Sequence, residues 1–546
     1  MENVIGQTKL AERLMPYRWL LLFLGGLLTG LTVIFPQIGI VEWVVLTPAA
    51  FAVLSAAADP HMRLRKMYLM GLAFFETFYL VVFHWFFYMY PMEFTGMSKP
   101  MAALVVTFCW LALSTFQAVG SSLIFVLLAV AIRAPFVRKV PLTHPFLLAA
   151  LWAFLEWFQA NSGWSGVPWG RLVLGQTELL PVIQSVSLFG SYFVTFLLVA
   201  VNGLLAYVLL YLNARRAAVL TATSLLAGNL LLGTVLLKTA SDDTGEPVRV
   251  AAIQGNVSAA KKFGNVIPDY KEIYGRLTEE AAAAGADVVV WPETAIPYDV
   301  ENPRHVHYRQ FAQDLARDNE ITLLSSVFVR KDGDPNVLYN SVIAIKPDGS
   351  EDDTVYYKRN LVPFGEFVPW RTFLTTVLPI LSNIGMLKED LAVGDSPMVF
   401  DDLTVGKIGS AICFDSIYEN NIREAVLDGA QLIAVSTNDS WFWDSAAVYM
   451  HNAQSQLRAL ESGRYVVRSA NTGVSTIISP NGEILEELDP LVKGYVMADV
   501  YLRDGMTVYT RIDDVFVYAC AAWFGTFALA MPAERLWTWV RQKRKA

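Results

Sequence analysis

Three residues, each just after an apolar stretch, could carry out covalent catalysis. Cys413 ends KIGSAIC, Glu293 follows VVVW in WPETAIP, and Lys358 lies in YYKRNLVPFGEFVP. The thiolate is the nucleophilic form of cysteine, so a nearby ammonium would raise its fraction. A carboxylate can take the thiol proton on attack and return it to the leaving group. Taken singly, the same residues could be a core cysteine, a solvated lysine and a helix-start carboxylate.

The chain around these residues predicts an α/β domain. Runs rich in β-branched residues, such as VRVAAIQGNV, ADVVVWPETAI and QLIAVSTND, alternate with helical patterns such as VYMHNAQSQLRALESG. This alternation is typical of layered α/β folds with a largely buried sheet. Active groups in such folds gather where strands end, and all three candidates follow predicted strands.

Apolar runs indicate a membrane protein. With 54% hydrophobic residues and a mean hydropathy of +0.40 over 546 residues, the chain is too apolar for an ordinary soluble protein. Most of the apolar runs are near or above the ~20 residues that cross a bilayer. They lie at residues 18–35, 39–58, 67–90, 101–132, 145–159, 182–212, 217–238 and 515–531. The fifth run is short and carries Glu156, so hydropathy alone leaves its spanning state open.

Loop charges decide the orientation. If all eight runs cross, sixteen Lys and Arg residues fall on one side, against only Lys99 and Arg171 in the short loops on the other. Positively charged loops stay in the cytoplasm, which predicts that both termini are cytoplasmic. We therefore predict a polytopic α-helical membrane domain of seven helices (1–238), a periplasmic catalytic domain (239–514), and an eighth helix with a basic tail (515–546). No nucleic-acid partner is indicated.

The distribution of cysteines draws attention to Cys413. Cys109 and Cys520 lie inside apolar runs, which leaves Cys413 as the only thiol of the exported domain. Unpaired cysteines are a liability in an oxidising compartment. The structural alternative is a buried cysteine that acts as a small hydrophobe.

The ordered motifs resemble those of the nitrilase superfamily, which uses a Glu, Lys, Cys triad. WPE at 291–293, K-x-x-L-V-P-F-G-E-x-x-P at 358–369 and C-F-D at 413–415 follow one another in the order of that family. With the flanking spans, the resemblance narrows to the bacterial apolipoprotein N-acyltransferase family. Further matching stretches are GVPWGRLVLGQ at 166–176, QGN at 254–256, STNDSWF at 436–442 and RALESGRYVVRSANTGVS at 458–475.

The resemblance implies an α-β-β-α sandwich and a role for each candidate residue. Cys413 would be the nucleophile and Glu293 the general base. Lys358 and the backbone N–H of Phe414 would stabilise the tetrahedral oxyanion. Glu366 looks like the second glutamate of the family, which orients the lysine; a surface ion pair is its structural alternative.

The resemblance also implies the reaction. A fatty acyl chain would pass from a membrane phospholipid to Cys413 as a thioester, and then to the N-terminal α-amine of the diacylglyceryl-cysteine of apolipoproteins. The enzyme would be a monomer in the bacterial inner membrane, without metal or cofactor. The alternatives are a membrane-tethered nitrilase-type amidase or hydrolase, and a non-catalytic binding module, which the intact Glu, Lys, Cys set argues against.

Two departures from the family concern the surroundings of the triad. The usual Cys-Tyr-Glu is Cys413, Phe414 and Asp415 here, with a shorter carboxylate and no hydroxyl. Phe263 stands where the family usually has a tryptophan. Trp441 matches a family position beside the active site and is our candidate for substrate contact, although an aromatic belt at the membrane surface would also explain it.

Other ionisable residues have two interpretations. Glu76, His84 and Glu156 lie inside apolar runs, which makes them functional candidates by default. Hydrogen bonds between helices explain them equally well. His305 and His307 form an HVH pair in a polar helical stretch, where such a pair is usually a surface feature. We therefore predict no metal site, and neither a P-loop nor a dinucleotide-binding glycine motif is present.

Overall fold

A computed structural model of the chain describes residues 8–92, 97–239, 243, 245–258, 269–330, 337–377, 390–395 and 398–527. Phe263 and the basic residues from Arg535 to Lys545 lie outside the described residues.

The N-terminal region is a bundle of apolar helices. Six described helices are long and apolar enough to cross a membrane: Lys9–Ile34, Pro36–Ala58, Leu64–Met89, Lys99–Ile132, Ser191–Leu210 and Arg215–Thr239. They coincide with six of the eight predicted spans. The shorter helices Thr143–Ala160 and Val515–Phe527 lie at the other two positions. A multi-pass membrane region is therefore confirmed, while the count of eight spans stays a prediction.

Small residues allow the helices of the bundle to approach one another closely. A Cβ atom on Gly26 would lie 2.4 Å from the carbonyl oxygen of Phe74, and one on Gly71 would lie 2.8 Å from Cα of Ser122. Close backbone approach at small residues is a common way for membrane helices to associate.

The ionisable groups inside the bundle are hydrogen-bonded. The carboxylate of Glu156 accepts from the backbone N–H of Leu172 at 3.0 Å and from the Thr195 hydroxyl at 2.7 Å. Glu76 accepts from the Thr115 hydroxyl at 2.9 Å, and Nδ1 of His84 lies 2.9 Å from the carbonyl oxygen of Val81. These contacts favour the structural interpretation of all three residues.

The region after the bundle contains two mixed β-sheets. The first has the order β13-β1-β2-β4-β5-β6, with β3 paired to β4. Its strands are β1 (Val248–Gln254), β2 (Val288–Val290), β3 (Ile296–Asp299), β4 (Thr322–Arg330), β5 (Leu338–Ile345), β6 (Glu351–Tyr357) and β13 (Gly494–Val500). The second has the order β12-β11-β10-β9-β8-β7. Its strands are β7 (Val399–Phe400), β8 (Ile408–Ile412), β9 (Leu432–Thr437), β10 (Val466–Ala470), β11 (Ser475–Ile478) and β12 (Ile484–Leu488).

Side-chain alternation builds the layers. In β1, Val250 and Ala252 contribute to the core between the two sheets. Ala251 and Ile253 point the other way, toward helices Tyr270–Ala283 and Val306–Asp318. Helices Glu419–Leu427 and Ala446–Ser462 cover the outer face of the second sheet. The domain is the α-β-β-α sandwich that the sequence predicted.

One helix joins the sandwich to the bundle. Nearly every residue of Ala446–Ser462 is buried. Ala447, Met450 and Leu457 belong to the same apolar core as the membrane helices, whereas Ala459 belongs to the core between the sheets. The outer face of the second sheet is therefore turned toward the membrane region.

Candidate active site

The three candidate residues lie immediately after strands that end on the same side of the sandwich. Glu293 follows β2, Lys358 follows β6 and Cys413 follows β8. β2 and β4 are parallel, and two antiparallel pairings bring β6 back to the same direction. The carboxyl ends of β2 and β6 therefore meet at one edge of the first sheet, opposite the end of β8 in the facing sheet.

Lys358 is held between two carboxylates. Its Nζ atom lies 2.8 Å from Oε1 of Glu293 and 2.9 Å from Oε1 of Glu366, and only 1% of its side chain is exposed. The side-chain amide of Asn340 donates to both carboxylates, at 2.7 and 3.1 Å. The backbone N–H of Val362 donates to the other oxygen of Glu366 at 2.8 Å. Glu366 is thus part of the buried cluster rather than of a surface ion pair.

The cluster keeps its lysine charged. Burial alone would lower the pKa of Lys358, but the charges of Glu293 and Glu366 outweigh it and raise that pKa well above its ordinary value. Burial raises the pKa of Glu366, and Lys358 only partly offsets this effect. Two carboxylates around one ammonium leave one excess negative charge, so the cluster can accept a proton.

Cys413 lies at a sharp turn. It begins a 3-10 turn, Cys413–Ile417, and its φ of 51° is in the left-handed region that residues with a Cβ rarely adopt. Its side chain is 8% exposed. Thr294, the residue after Glu293, also has a positive φ, 50°. Backbone strain of this kind is stored where the fold must aim a particular side chain.

The thiol of Cys413 is protonated at rest. Burial raises its pKa, Glu293 raises it further, and Lys358 lowers it only in part. Lys358 therefore acts in the expected direction, but its effect is smaller than the sum of the two opposing effects. The direction of the Lys358 effect is as the sequence predicted, but burial, which was not visible in the sequence, keeps the resting thiol protonated. The thiol proton must therefore leave during any attack by the sulfur. The Glu293 carboxylate, whose charge acts on this thiol, can accept it.

Asp415 ties the turn at Cys413 to the loop after Lys358. Its buried carboxylate accepts from the Tyr356 hydroxyl at 2.7 Å, from the backbone N–H of Asn360 at 2.7 Å and from that of Ile412 at 3.1 Å. The aspartate side chain, although shorter than the glutamate usual in the family, is thus long enough to make these three contacts. Phe414 is half-buried, and its ring centroid is 6.2 Å from that of Trp169.

Aromatic side chains connect the turn to the membrane helices. The ring of Trp85 lies 4.9 Å from that of Phe442 and 5.5 Å from that of Trp169. Trp441, the substrate-contact candidate, is half-buried next to Phe442 in the loop after β9. A groove of about 490 Å³ begins two residues after Trp441 in the chain. It is lined by Phe87, Tyr88, Tyr90, Trp443, Asp444 and Leu491.

A buried ionic network links the bundle to the sandwich. Arg171, in the loop before helix Ser191–Leu210, pairs with Glu419 and also donates to the Ser191 hydroxyl. Glu419 begins the helix after the Cys413 turn, and Arg458 lies 3.2 Å from it. Burial would raise the pKa of Glu419, but Arg171 and Arg458 outweigh this and lower it to about 2.

The sequence interpretation missed a second polar group beside Cys413. Ligand atoms of Cys413, Asp439 and His451 lie within 4.8 Å of one another. Nδ1 of His451 is 2.9 Å from Asp439, and Arg468 donates to the other carboxylate oxygen at 2.9 Å. Asp439 was inside the quoted STNDSWF stretch, but nothing local indicated its partners. His305 does not join this group; it lies against Tyr298, with ring centroids 4.5 Å apart.

Comparisons with known proteins agree with this architecture. Residues 249–507 match the family model described as Carbon-nitrogen hydrolase. The paired sheets and this match define the class: the domain has the nitrilase fold. Yeast Nit3, a member of branch 10 of the nitrilase superfamily, is a similar solved structure, at 19% identity over 48% of this chain and 93% of that chain, with a TM-score of 0.37.

Matches over the whole length are more specific. Residues 25–204 match the Apolipoprotein N-acyltransferase N-terminal domain. The apolipoprotein N-acyltransferase of Gloeobacter violaceus is 30% identical over 94% of both chains. That of Geobacter metallireducens is 31% identical over 92% of this chain and 93% of its own. The chain belongs to the apolipoprotein N-acyltransferase family and is an acyltransferase.

Proposed function

We propose that the protein N-acylates apolipoproteins through a thioester on Cys413, with a membrane phospholipid as donor. In the first half-reaction the Cys413 sulfur attacks an ester carbonyl of the phospholipid. Glu293 takes the thiol proton and returns it to the glyceryl alkoxide as the C–O bond breaks, which releases a lysophospholipid. Lys358 and the N–H of Phe414 stabilise the tetrahedral oxyanion.

In the second half-reaction the α-amine of a diacylglyceryl-cysteine attacks the thioester. Glu293 takes a proton from the nitrogen and delivers it to the departing sulfur, which regenerates the thiol and leaves an amide. A thioester is a better acyl donor to nitrogen than an oxygen ester, so two easier steps replace one difficult transfer.

The membrane arrangement of the proposal follows from the loop charges. Eight spans place both termini in the cytoplasm and residues 239–514 on the periplasmic side of the inner membrane. Both substrates reside in the bilayer, and the aromatic contacts of Phe442 and Trp169 lie between the Cys413 turn and the membrane helices. Trp441 lies in this region, where it would contact an acyl chain. We propose that the enzyme acts as a monomer.

The observation that carries the proposal is the buried cluster at the strand ends. One ammonium, two carboxylates and a neutral thiol are collected under a membrane-facing aromatic layer. A dry site of this kind protects a thioester from water until the amine arrives.

A burst experiment tests the proposal. Purified enzyme given phospholipid alone should release about one equivalent of lysophospholipid per active site and stop as an acyl-enzyme, as expected of a ping-pong mechanism. Addition of a diacylglyceryl peptide with a free α-amine should restart turnover and give an N-acyl product, whereas the N-acetylated peptide should not. Continuous release of free fatty acid without acceptor, as fast as turnover with it, would instead identify an amidase-type hydrolase.

Matched cysteine variants identify the nucleophile. Cys413→Ala should abolish both the burst and any hydroxylamine-sensitive acyl label. Cys109→Ala and Cys520→Ala should retain both. An acyl label on the Cys413→Ala protein would show that another residue is the nucleophile.

A further inference from the structure

Three separate segments of the chain form the groove that begins at Trp443. Its lining residues are Phe87, Tyr88 and Tyr90 at the end of the apolar helix Leu64–Met89, Trp443 and Asp444 in the loop after β9, and Leu491 between β12 and β13. The four aromatic rings and Leu491 are 38% to 50% exposed, and Asp444 is exposed as well. Exposed apolar side chains that converge from distant segments mark an interaction surface. We refer to these six residues as the Trp443 groove.

The loop that carries Trp443 is held in an unusual conformation. Trp443 has a φ of 48°, in the left-handed region that residues with a Cβ rarely adopt. The carboxylate of the next residue, Asp444, accepts a hydrogen bond from the Tyr449 hydroxyl at 2.8 Å. Tyr449 belongs to helix Ala446–Ser462, which joins the sandwich to the bundle. The loop is therefore tied to that helix while its tryptophan lines the groove.

Carboxylates surround one side of the Trp443 groove. Burial and the hydrogen bond to Asp444 raise the pKa of Tyr449, and the charges of Asp489 and Glu487 act in the same direction. All three carboxylates are therefore close enough to act on one hydroxyl. Lys493 is an exposed basic residue of the loop that contributes Leu491. Carboxylates thus outnumber ammonium groups around the groove in the part of the chain that the structure describes.

Aromatic contacts lead from the groove to the Cys413 turn. Phe442, the residue before Trp443, has its ring centroid 6.2 Å from that of Trp169, which in turn is 6.2 Å from that of Phe414. Phe414 directly follows Cys413. An extended peptide advances about 3.3–3.6 Å per residue, so a chain whose first residue lies at Cys413 reaches the groove after roughly three or four residues.

The charge of the groove favours one of the two proposed substrates. Every phospholipid donor carries an anionic phosphate in its headgroup, which carboxylates repel. The acceptor instead carries a polypeptide beyond its diacylglyceryl-cysteine, and this polypeptide must leave the site toward water. Aromatic rings offer a large contact area to a peptide, and carboxylates attract basic side chains.

We propose that the Trp443 groove binds the acceptor polypeptide at about its third to fifth residues, and that Asp444 makes the enzyme prefer basic over acidic residues there. The inference rests on the proposed function, because only an acyl-enzyme has a use for this acceptor. The groove therefore acts on the second half-reaction and not on the first.

The second half-reaction can be measured by itself. Full-length acyl-enzyme, formed with phospholipid and freed from excess donor, is mixed with diacylglyceryl peptides that carry lysine, serine or aspartate at residues three to five. We expect acyl transfer at subsaturating peptide to be about tenfold faster with lysine than with aspartate, since several exposed charge pairs add their effects. The ratio should approach one at about 1 M salt, where the Debye length falls to about 3 Å.

Variants separate the charge from the aromatic surface. Asp444→Asn should lower the lysine-to-aspartate ratio to about threefold or less, whereas Asp428→Asn removes an exposed carboxylate after helix Glu419–Leu427 and should retain it. Trp443→Ala should slow transfer to all three peptides by about tenfold, but not transfer to a diacylglyceryl-cysteine amide without a polypeptide. Trp443→Phe keeps a ring and should recover most of this loss.

The outcomes are distinguishable. Equal transfer to the three peptides by the wild type, or an unchanged ratio in Asp444→Asn, would overturn the inference. Slower acyl-enzyme formation in Asp444→Asn or Trp443→Ala would also overturn it, because the groove would then hold the donor headgroup. Wild-type rates of Trp443→Ala with every peptide would reduce the groove to an aromatic belt at the membrane surface. A wild-type enzyme that forms no acyl-enzyme would instead overturn the proposed function.

Discussion

At the scale of single residues, the charges around Cys413 determine how its proton is handled. Glu293 and burial raise the pKa of the thiol, whereas Lys358 lowers it. In the proposed mechanism the thiolate therefore forms only when Glu293 removes the proton during the attack. A protonated, buried thiol is also less prone to adventitious oxidation, because oxidation follows the thiolate.

The pH dependence of alkylation checks these signs. The iodoacetamide reaction of the wild-type enzyme should rise with pH and have its midpoint above that of free cysteine, because the pKa of Cys413 is raised. Lys358→Met removes the charge that lowers this pKa and should move the midpoint higher. Glu293→Gln removes a charge that raises it and should move the midpoint lower. A lower midpoint in Lys358→Met, or a higher one in Glu293→Gln, would contradict this electrostatic arrangement.

At the scale of elements, single buried side chains hold the loops of the site together. Asp415 accepts hydrogen bonds from Tyr356, Asn360 and Ile412 and so joins the end of β6 to the end of β8. The relative position of Lys358 and Cys413 depends on this carboxylate.

Loss of Asp415 should therefore affect both stability and catalysis. Asp415→Ala leaves several buried donors without an acceptor, and each such donor costs about 1–3 kcal/mol. We expect a lower Tm in thermal unfolding and a lower kcat, because Lys358 is no longer fixed relative to the thiol. Tyr356→Phe removes only one of these bonds and should have a clearly smaller effect on both. An Asp415→Ala enzyme with wild-type kcat would show that the loop is positioned by other contacts.

The ionic network makes a second prediction at this scale. Arg171→Met would leave Glu419 with Arg458 alone, and removal of one partner of a buried ion pair costs about 3–5 kcal/mol. We expect a large drop in Tm and in acylation rate, since Glu419 begins the helix after the Cys413 turn. Arg249→Met breaks an exposed pair with Asp499, whose side chains are 43% and 46% exposed, and should change little. Equal effects of the two variants would contradict a special role for the Arg171 contact.

At the scale of the whole molecule, the catalytic sandwich is built onto the membrane bundle. The apolar core of the bundle includes side chains from helix Ala446–Ser462 as well as Phe414 and Phe442. The Cys413 turn is thus adjacent to the helices, as the proposed transfer from a membrane lipid requires. The proposed periplasmic location follows if the charged loops lie in the cytoplasm.

Reporter fusions test this orientation. Alkaline phosphatase folds only outside the cytoplasm, so a fusion after residue 245 should be active and one after residue 214 inactive. The charge distribution gives the reason, with sixteen basic residues on one side and only two in the short loops of the other. The reverse pattern would contradict the eight-span arrangement.

Local patterns in the sequence were sufficient for much of this description. Runs of β-branched residues predicted the strands before Glu293 and Cys413, and the length of apolar runs predicted the multi-pass region. These features depend on neighbouring residues, so a short window of sequence contains them. The order of the motifs then indicated the family.

Only the tertiary structure decided the surroundings of these residues. Arg171 and Glu419 are 248 positions apart, and Asn340 lies 47 positions from Glu293, so no local periodicity relates them. The same is true of His451 and Asp439, which lie beside Cys413 although they belong to another helix and loop. The motif indicated the Lys358 charge, which lowers the pKa of Cys413, but only the folded chain shows that burial outweighs this effect.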